Sequence, residues 1–175
     1  MIRKFRLKIY VTALCFSLII TCFTQCGIYS FTGISLSPEV KTVNVDYFQN
    51  MAPLVVPSLS NTFTDALQQK FMRQTRLTMV GTGEGDIQLS GEIRGYDISP
   101  VAITGNDVAS KNRLTIRVNV KFVNNIEPEQ NFEKDFSAYE DFEGSQSVDQ
   151  VQDSLIDIIV ETLVENIFNA SVTNW

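Results

Sequence analysis

Histidine is absent from the 175 residues, and with it the commonest general base and metal ligand. Cysteine is scarce: Cys15, Cys22 and Cys26 are the only three. All lie in the first 26 positions, so no pair is left to staple the rest of the chain, which must fold on its core alone. No acidic residue precedes Glu39, and no internal repeat or low-complexity block interrupts the remainder of the chain. Acids are plentiful between Glu127 and Glu143, but they lack the alternating Asp/Asn pattern and terminal Glu of a calcium loop. They read as a solvated surface. Gly81-Thr-Gly-Glu-Gly-Asp86 lacks the Lys-Ser/Thr of a phosphate loop, opens no helix and contains two acids, so it reads as a turn. A Ser-Lys dyad or a carboxylate pair stays chemically open, yet no spacing singles one out. The chain is read as no enzyme, with no metal and no cofactor.

What is present begins with charge. Arg3, Lys4, Arg6 and Lys8 precede an uncharged, mostly apolar run from Ile9 to Phe23. A basic segment followed by a short apolar one is the pattern of a secretory signal peptide. The run is shorter than the roughly 18 residues that read as a spanning helix, the reading an uncleaved anchor would need. The polar boundary arrives as Thr24-Gln25-Cys26-Gly27. Cysteine then glycine at that point resembles a bacterial lipoprotein signal. In that class the thiol receives diacylglycerol, cleavage precedes the cysteine, and its amine is acylated, palmitate being the expected chain. Gln25 stands where Gly or Ala is usual. Cys22, between Thr21 and Phe23, fits no better, and Cys15 inside the run reads as a small hydrophobe. Cys26 is the expected lipidation site, and acylation would give purpose to an otherwise free thiol in an oxidising compartment.

The organisation expected is a signal peptide over 1–25, a lipid-anchored tether over 26–39 and one domain over 40–175. Without the signal, 150 residues hold ten basic and twenty acidic side chains, a net charge of −10. Such a chain is a poor general partner for nucleic acid, whose affinity rests on Lys and Arg at phosphates.

Within the domain, Val43, Val45 and Tyr47 alternate with Thr42, Asn44 and Asp46, predicting a half-buried strand. Pro53 and Pro57 break the chain. Ser58 or Ser60 can cap a helix on which Leu59, Phe63, Ala66, Leu67 and Phe71 share a face opposite Asp65, Gln68, Gln69 and Arg73. A short strand at 76–80 follows, then one carrying Ile87, Leu89, Gly91 and Ile93. A long strand over 113–123 buries Leu114, Ile116, Val118, Val120 and Phe122. Residues 96–112 between them read as a protruding loop or extended arm, with Gly105-Asn106-Asp107 as its turn signal. A strand over 131–139 uses Phe132 and Phe136. Ser147 and Gln150 form a capping box. It opens a helix whose stripe is Val151, Leu155, Ile158, Ile159, Leu163, Ile167 and Phe168. Ile156, Val160 and Val164 lie off that stripe, either buried across the sheet or meeting a partner. The fold class expected is α+β, a two-layer sandwich with a mainly antiparallel sheet and two helices on one face.

Taken together, Cys26-Gly27, the strand-helix start, "SPVAITGNDVASKNRLTIRVNVKF" at 99–122 and the closing amphipathic helix resemble the LptE family of lipopolysaccharide-assembly outer-membrane lipoproteins. The most specific residues are Ala102 to Asp107 and Asn112 to Thr115. The resemblance spans the chain beyond the signal. It implies a non-enzymatic subunit seated as a plug within the LptD outer-membrane β-barrel, aiding its folding and its delivery of lipopolysaccharide, with some members binding lipopolysaccharide directly. For this chain it makes Thr104, Gly105, Asn106 and Asp107 a candidate partner loop. It also draws attention to Arg113, Arg117 and Lys121, which share one face of the long strand at about 13 Å intervals. With Lys111, and with Arg94 from another strand, they are candidate contacts for lipopolysaccharide phosphates or for barrel carboxylates. Cross-strand pairing with Glu92 or Glu133 is the structural alternative. A generic periplasm-facing lipoprotein module with no barrel partner fits the composition equally. No acidic cluster follows Cys26, so the periplasmic side of the outer membrane is expected.

Overall fold

The long strand predicted around Leu114–Phe122 is the central element of the computed structural model, which describes residues 36–81, 83–101 and 111–172. The elements are β1 (Thr42–Val45), β2 (Gln49–Asn50), α1 (Leu59–Gln74), β3 (Thr78–Met79), β4 (Ile87–Val101), β5 (Lys111–Asn124), a 3-10 turn (Pro128–Gln130), β6 (Phe132–Glu143) and α2 (Val148–Val172). They form one sheet in the order β3-β1-β4-β5-β6, with β2 also against β4. Both helices pack on one face of it, so the architecture is the expected α+β sandwich. The long pairings, β4 with β5 and β5 with β6, are antiparallel. The short ones involving β1, β2 and β3 are parallel, because α1 carries the chain back between β1 and β3.

The helix-facing side of β5 is formed by Leu114, Ile116, Val118, Val120 and Phe122, all at most 1 % exposed. Against them lie Ile87, Leu89 and Ile93 of β4 and, from the helices, Phe63, Leu67, Phe71, Ile159, Leu163 and Ile167, none of which is exposed. Phe71 and Phe168 meet edge to face at 5.2 Å and join the two helices. Burial of this kind is the main stabilising term, about 1.5–3 kcal/mol for each large apolar side chain.

Several elements depart from the sequence expectation, each for a local reason. Tyr47 is 54 % exposed rather than inward. β1 ends at Val45, the chain turns, and Phe48 enters the core instead, edge-on to Phe63 at 5.0 Å. Its backbone N–H donates to Thr64 Oγ1 at 3.1 Å. Gly91 makes room for that ring: a Cβ there would stand 2.8 Å from Phe48 Cε1 and 2.0 Å from the Asn119 carbonyl oxygen. β4 continues to Val101 instead of ending near Ile93. A bulge between Ile93 and Gly95 shifts the register, pairing Ile93 with Val118 and Tyr96 with Ile116. Two inward residues three apart break the period of two, which is why the continuation reads as loop. Residues 96–101 and 111–112 of the expected arm are therefore strand, and 102–110 lie outside the described residues.

The caps also differ. Ser58 is the N-cap of α1 but makes no side-chain capping bond, and Ser60 is buried within the helix. At the start of α2, the Gln150 N–H donates to the Ser147 carbonyl at 3.1 Å, a turn bond rather than a reciprocal side-chain box. On α2, Ile158 is 47 % exposed while Ile156, Val160 and Val164 are buried. The apolar band is wide because α2 has two neighbours, the sheet and α1. No partner is needed to cover those three residues.

Candidate functional site

The face of the sheet away from the helices holds the basic row. Register places Arg113, Arg117 and Lys121 of β5 together on it, with Asp97 and Ser99 of β4 and Glu133, Asp135, Tyr139 and Asp141 of β6. Alternation along each strand fixes this, since cross-strand partners point to the same side. Asn119, between the cations, is 8 % exposed and donates from Nδ2 to Asp135 Oδ1 at 2.9 Å.

The cations differ in how firmly they are held. Arg113 donates from Nε and Nη2 to the two oxygens of Asp141, at 2.7 and 3.0 Å. Its guanidinium also stacks over Tyr139, 3.7 Å from the ring centroid. The hydrogen bond from Arg113 holds the Asp141 carboxyl below its ordinary range and raises the guanidinium above its own. Arg117 meets Asp97 at 2.8 Å and lies across Gly95, where a Cβ would come within 2.7 Å of its Nε. Arg94 bridges Glu92 at 2.8 Å and Asp135 at 3.3 Å. Lys111 is 4.0 Å from Glu143. Lys121 stands opposite Ser90 and Glu133 and makes no ion pair among the described residues. The partners differ from those expected: Glu92 turns to Arg94, and Asp97 and Asp141 hold the two arginines. Sequence reasoning misses both acids, because Asp97 falls in the expected loop and Asp141 lies two residues beyond the expected end of its strand.

Cys26 and the loop residues Thr104, Gly105, Asn106 and Asp107 lie outside the described residues. The Gly81–Asp86 segment has a structural role. The Asp86 carboxylate accepts from the Lys41 N–H at 2.8 Å and from the Thr42 N–H and hydroxyl, both at 2.9 Å. Those bonds, the Lys41 backbone donor foremost, hold its carboxyl below the ordinary range. They also tie the start of β1 to the start of β4.

Elsewhere, a groove of about 360 Å³ runs between α1 and α2, lined by Gln69, Arg73, Asp157 and Glu161 and spanned by a Lys70–Glu165 ion pair. Among the described residues no group of three His, Cys, Asp or Glu side chains is placed to hold a metal ion. No described helix is long and apolar enough to cross a membrane.

A family model described as LptE, lipopolysaccharide-assembly, matches residues 40–171. No curated protein matches by sequence. Among solved structures the chain is similar to a minor lipoprotein from Acinetobacter baumannii, at 12 % identity and a TM-score of 0.45, covering 75 % of this chain and 93 % of that one. A lipoprotein from Neisseria meningitidis gives 13 % and 0.41, covering 74 % and 99 %. Lipoprotein B from Nitrosomonas europaea gives 13 % and 0.43, covering 73 % and 79 %.

Proposed function

Because the chain belongs to the LptE family of lipopolysaccharide-assembly proteins, we propose that it is a lipid-anchored outer-membrane subunit that supports an LptD-like β-barrel translocon. The observation that carries this reading is the extent of the family match, which spans nearly all of the described domain. The role is one of assembly rather than catalysis. In this reading Cys26 carries the lipid on the periplasmic side of the outer membrane. The loop at Thr104–Asp107 and the basic row contact the barrel or its lipopolysaccharide cargo. The open face is suited to a wet, charged surrounding: it is polar and its cations are spaced along one strand. An arriving phosphate competes with Asp141 for Arg113 and with Asp97 for Arg117, while Lys121 is available without exchange.

Purification of the native protein from gently solubilised outer membrane tests the partner. One large β-barrel in equal amount is the expected result. Isolation alone, or with soluble partners only, would sink the barrel reading and leave a generic lipoprotein scaffold. Labelled fatty acid tests the anchor: incorporation should vanish in Cys26→Ser and persist in Cys22→Ser, and the reverse pattern would move the site to Cys22.

A further inference from the structure

The two outer edges of the sheet are built differently. β6, at one edge, carries six charged residues in its twelve, Glu133, Lys134, Asp135, Glu140, Asp141 and Glu143. Charges of that density discourage another strand from adding. The other edge is irregular, because β4 is longer than its neighbours there. β1 covers Ile87–Leu89, and β2 covers Glu92–Ile93, ending with the Met51 N–H on the Ile93 carbonyl at 2.8 Å. From Gly95 onward β4 has β5 on one side and no strand on the other among the described residues. Pro100 ends the run of available donors. Along Gly95 to Ser99 every second residue thus turns its N–H and C=O away from β5, an open edge about 17 Å long. Its single charge, Asp97, is drawn onto Arg117 rather than outward. Ile98 is 40 % exposed. This edge carries little of the protection that β6 has.

The surroundings of the edge define what fits it. Where β2 leaves β4, Met51 is 61 % exposed. A strand continuing along the track of β2 would start beside it. On the helix side, Tyr96 is buried and its phenol meets Gln152 Oε1 at 3.3 Å. Asp149 and Asp153 lie near enough to disfavour its ionisation, after burial itself. Both are exposed and unpaired among the described residues. Asp149 complements the dipole of the first turn of α2, but Asp153 lies a turn further on, where that effect has faded.

We propose that the Gly95–Ser99 edge of β4 accepts an extended segment of a partner protein by strand addition. The segment places an apolar side chain beside Ile98 and a Lys or Arg toward Asp149 and Asp153. Backbone hydrogen bonds supply affinity in this mode, and alternate side chains supply selectivity. The proposal rests on the preceding reading only in taking the partner from the same membrane assembly.

Hydrogen exchange tests it on the full chain, purified alone in detergent and purified in its native complex. In the complex, exchange of the Gly95–Ser99 amides that point away from β5 should slow by at least about tenfold, with the outer edge of β6 unchanged. A complex in which Gly95–Ser99 exchange as in the isolated chain overturns the proposal while leaving the assembly reading intact. If no partner copurifies, the assembly reading fails, and a synthetic peptide on the full chain decides the edge. The peptide Thr-Val-Thr-Lys-Thr-Val-Thr should bind at least about tenfold tighter than its Glu counterpart, and backbone N-methylation should abolish binding. The Asp149→Lys, Asp153→Lys double variant should reverse the preference. Equal binding of all peptides, or dimerisation of the chain through this edge without a partner, would overturn it.

Discussion

The two faces of β5 carry opposite chemistry on one backbone. Toward the helices, five apolar side chains are essentially without solvent. Away from them, Arg113, Arg117 and Lys121 stand in a polar field of carboxylates and hydroxyls. The contrast shows which face the stability of the fold depends on. The covered face tolerates no loss of shape, since close-packed interiors register even one methylene. The open face is held by ion pairs in water, which contribute little to folding, so rearranging them costs the fold little.

The largest loss is expected in neighbouring β4, where the covered face of the sheet admits no side chain at all. Gly91 sits at φ +156°, and a Cβ there would stand 2.0 Å from the Asn119 carbonyl and 2.8 Å from Phe48. Gly91→Ala should cost about 3 kcal/mol or more, through overpacking and backbone displacement, seen as a large drop in denaturant midpoint. A Gly91→Ala protein as stable as the parent would show that Phe48 does not occupy the space described. Next in size, Ile116→Ala should cost about 2–4 kcal/mol by leaving a cavity under α2. Thr115→Ala, one residue away on the other face, should stay within about 0.5 kcal/mol. Similar losses at the two positions would mean that the faces are not distinguished as described.

The same contrast decides how much of the fold and the site is legible in the sequence. The alternation of β5 identifies both its faces and the shared side of the basic row, because an uninterrupted period of two has only one reading. The continuation of β4 is hidden, since the bulge at Arg94 sets Ile93 and Tyr96 three apart on the same side and imitates the end of a strand. Ile158 is misplaced because α2 packs on α1 as well as on the sheet, and a single stripe cannot describe a helix with two neighbours. The acids that hold the arginines cannot be assigned from spacing, since Asp97 lies 20 positions from Arg117 and Asp141 lies 28 from Arg113, and only the sheet register joins them. The Asp86 clamp likewise joins residues 44 apart, and its turn offers no sign of that role.

Asp86 should show an intermediate effect, being polar yet structural. Asp86→Ala leaves the Lys41 and Thr42 N–H groups without their acceptor and should cost about 1–2 kcal/mol. Its sign with pH is fixed. The folded carboxyl titrates below its unfolded value, so the stabilisation is complete above the ordinary carboxylate range, about pH 4–5. It is lost as pH falls through the folded value. Asp141 and Glu165 shift in the same direction and add to the acid sensitivity. Chemical denaturation at successive pH values should show the parent and Asp86→Ala converging in acid. A difference that persists unchanged there would assign the loss to packing rather than to the charged clamp.

The smallest effect on folding is expected on the open face, where the consequence should fall on binding. Arg113 is bound twice by Asp141 and stacked on Tyr139, and Arg117 is bound by Asp97, so for either to meet a phosphate an existing bond must be exchanged. Lys121 has no such tie among the described residues. If lipopolysaccharide phosphates dock on this row, Lys121→Glu should weaken binding several-fold and leave the melting temperature nearly unchanged. Arg113→Glu sets a second carboxylate beside Asp141, so it should lower the melting temperature slightly as well as weaken binding. The Lys121→Glu effect should shrink in high salt, because exposed charges are screened over about 8–10 Å. A loss that follows the melting temperature across both variants, with no salt dependence at Lys121, would make the row a set of cross-strand braces rather than a phosphate contact.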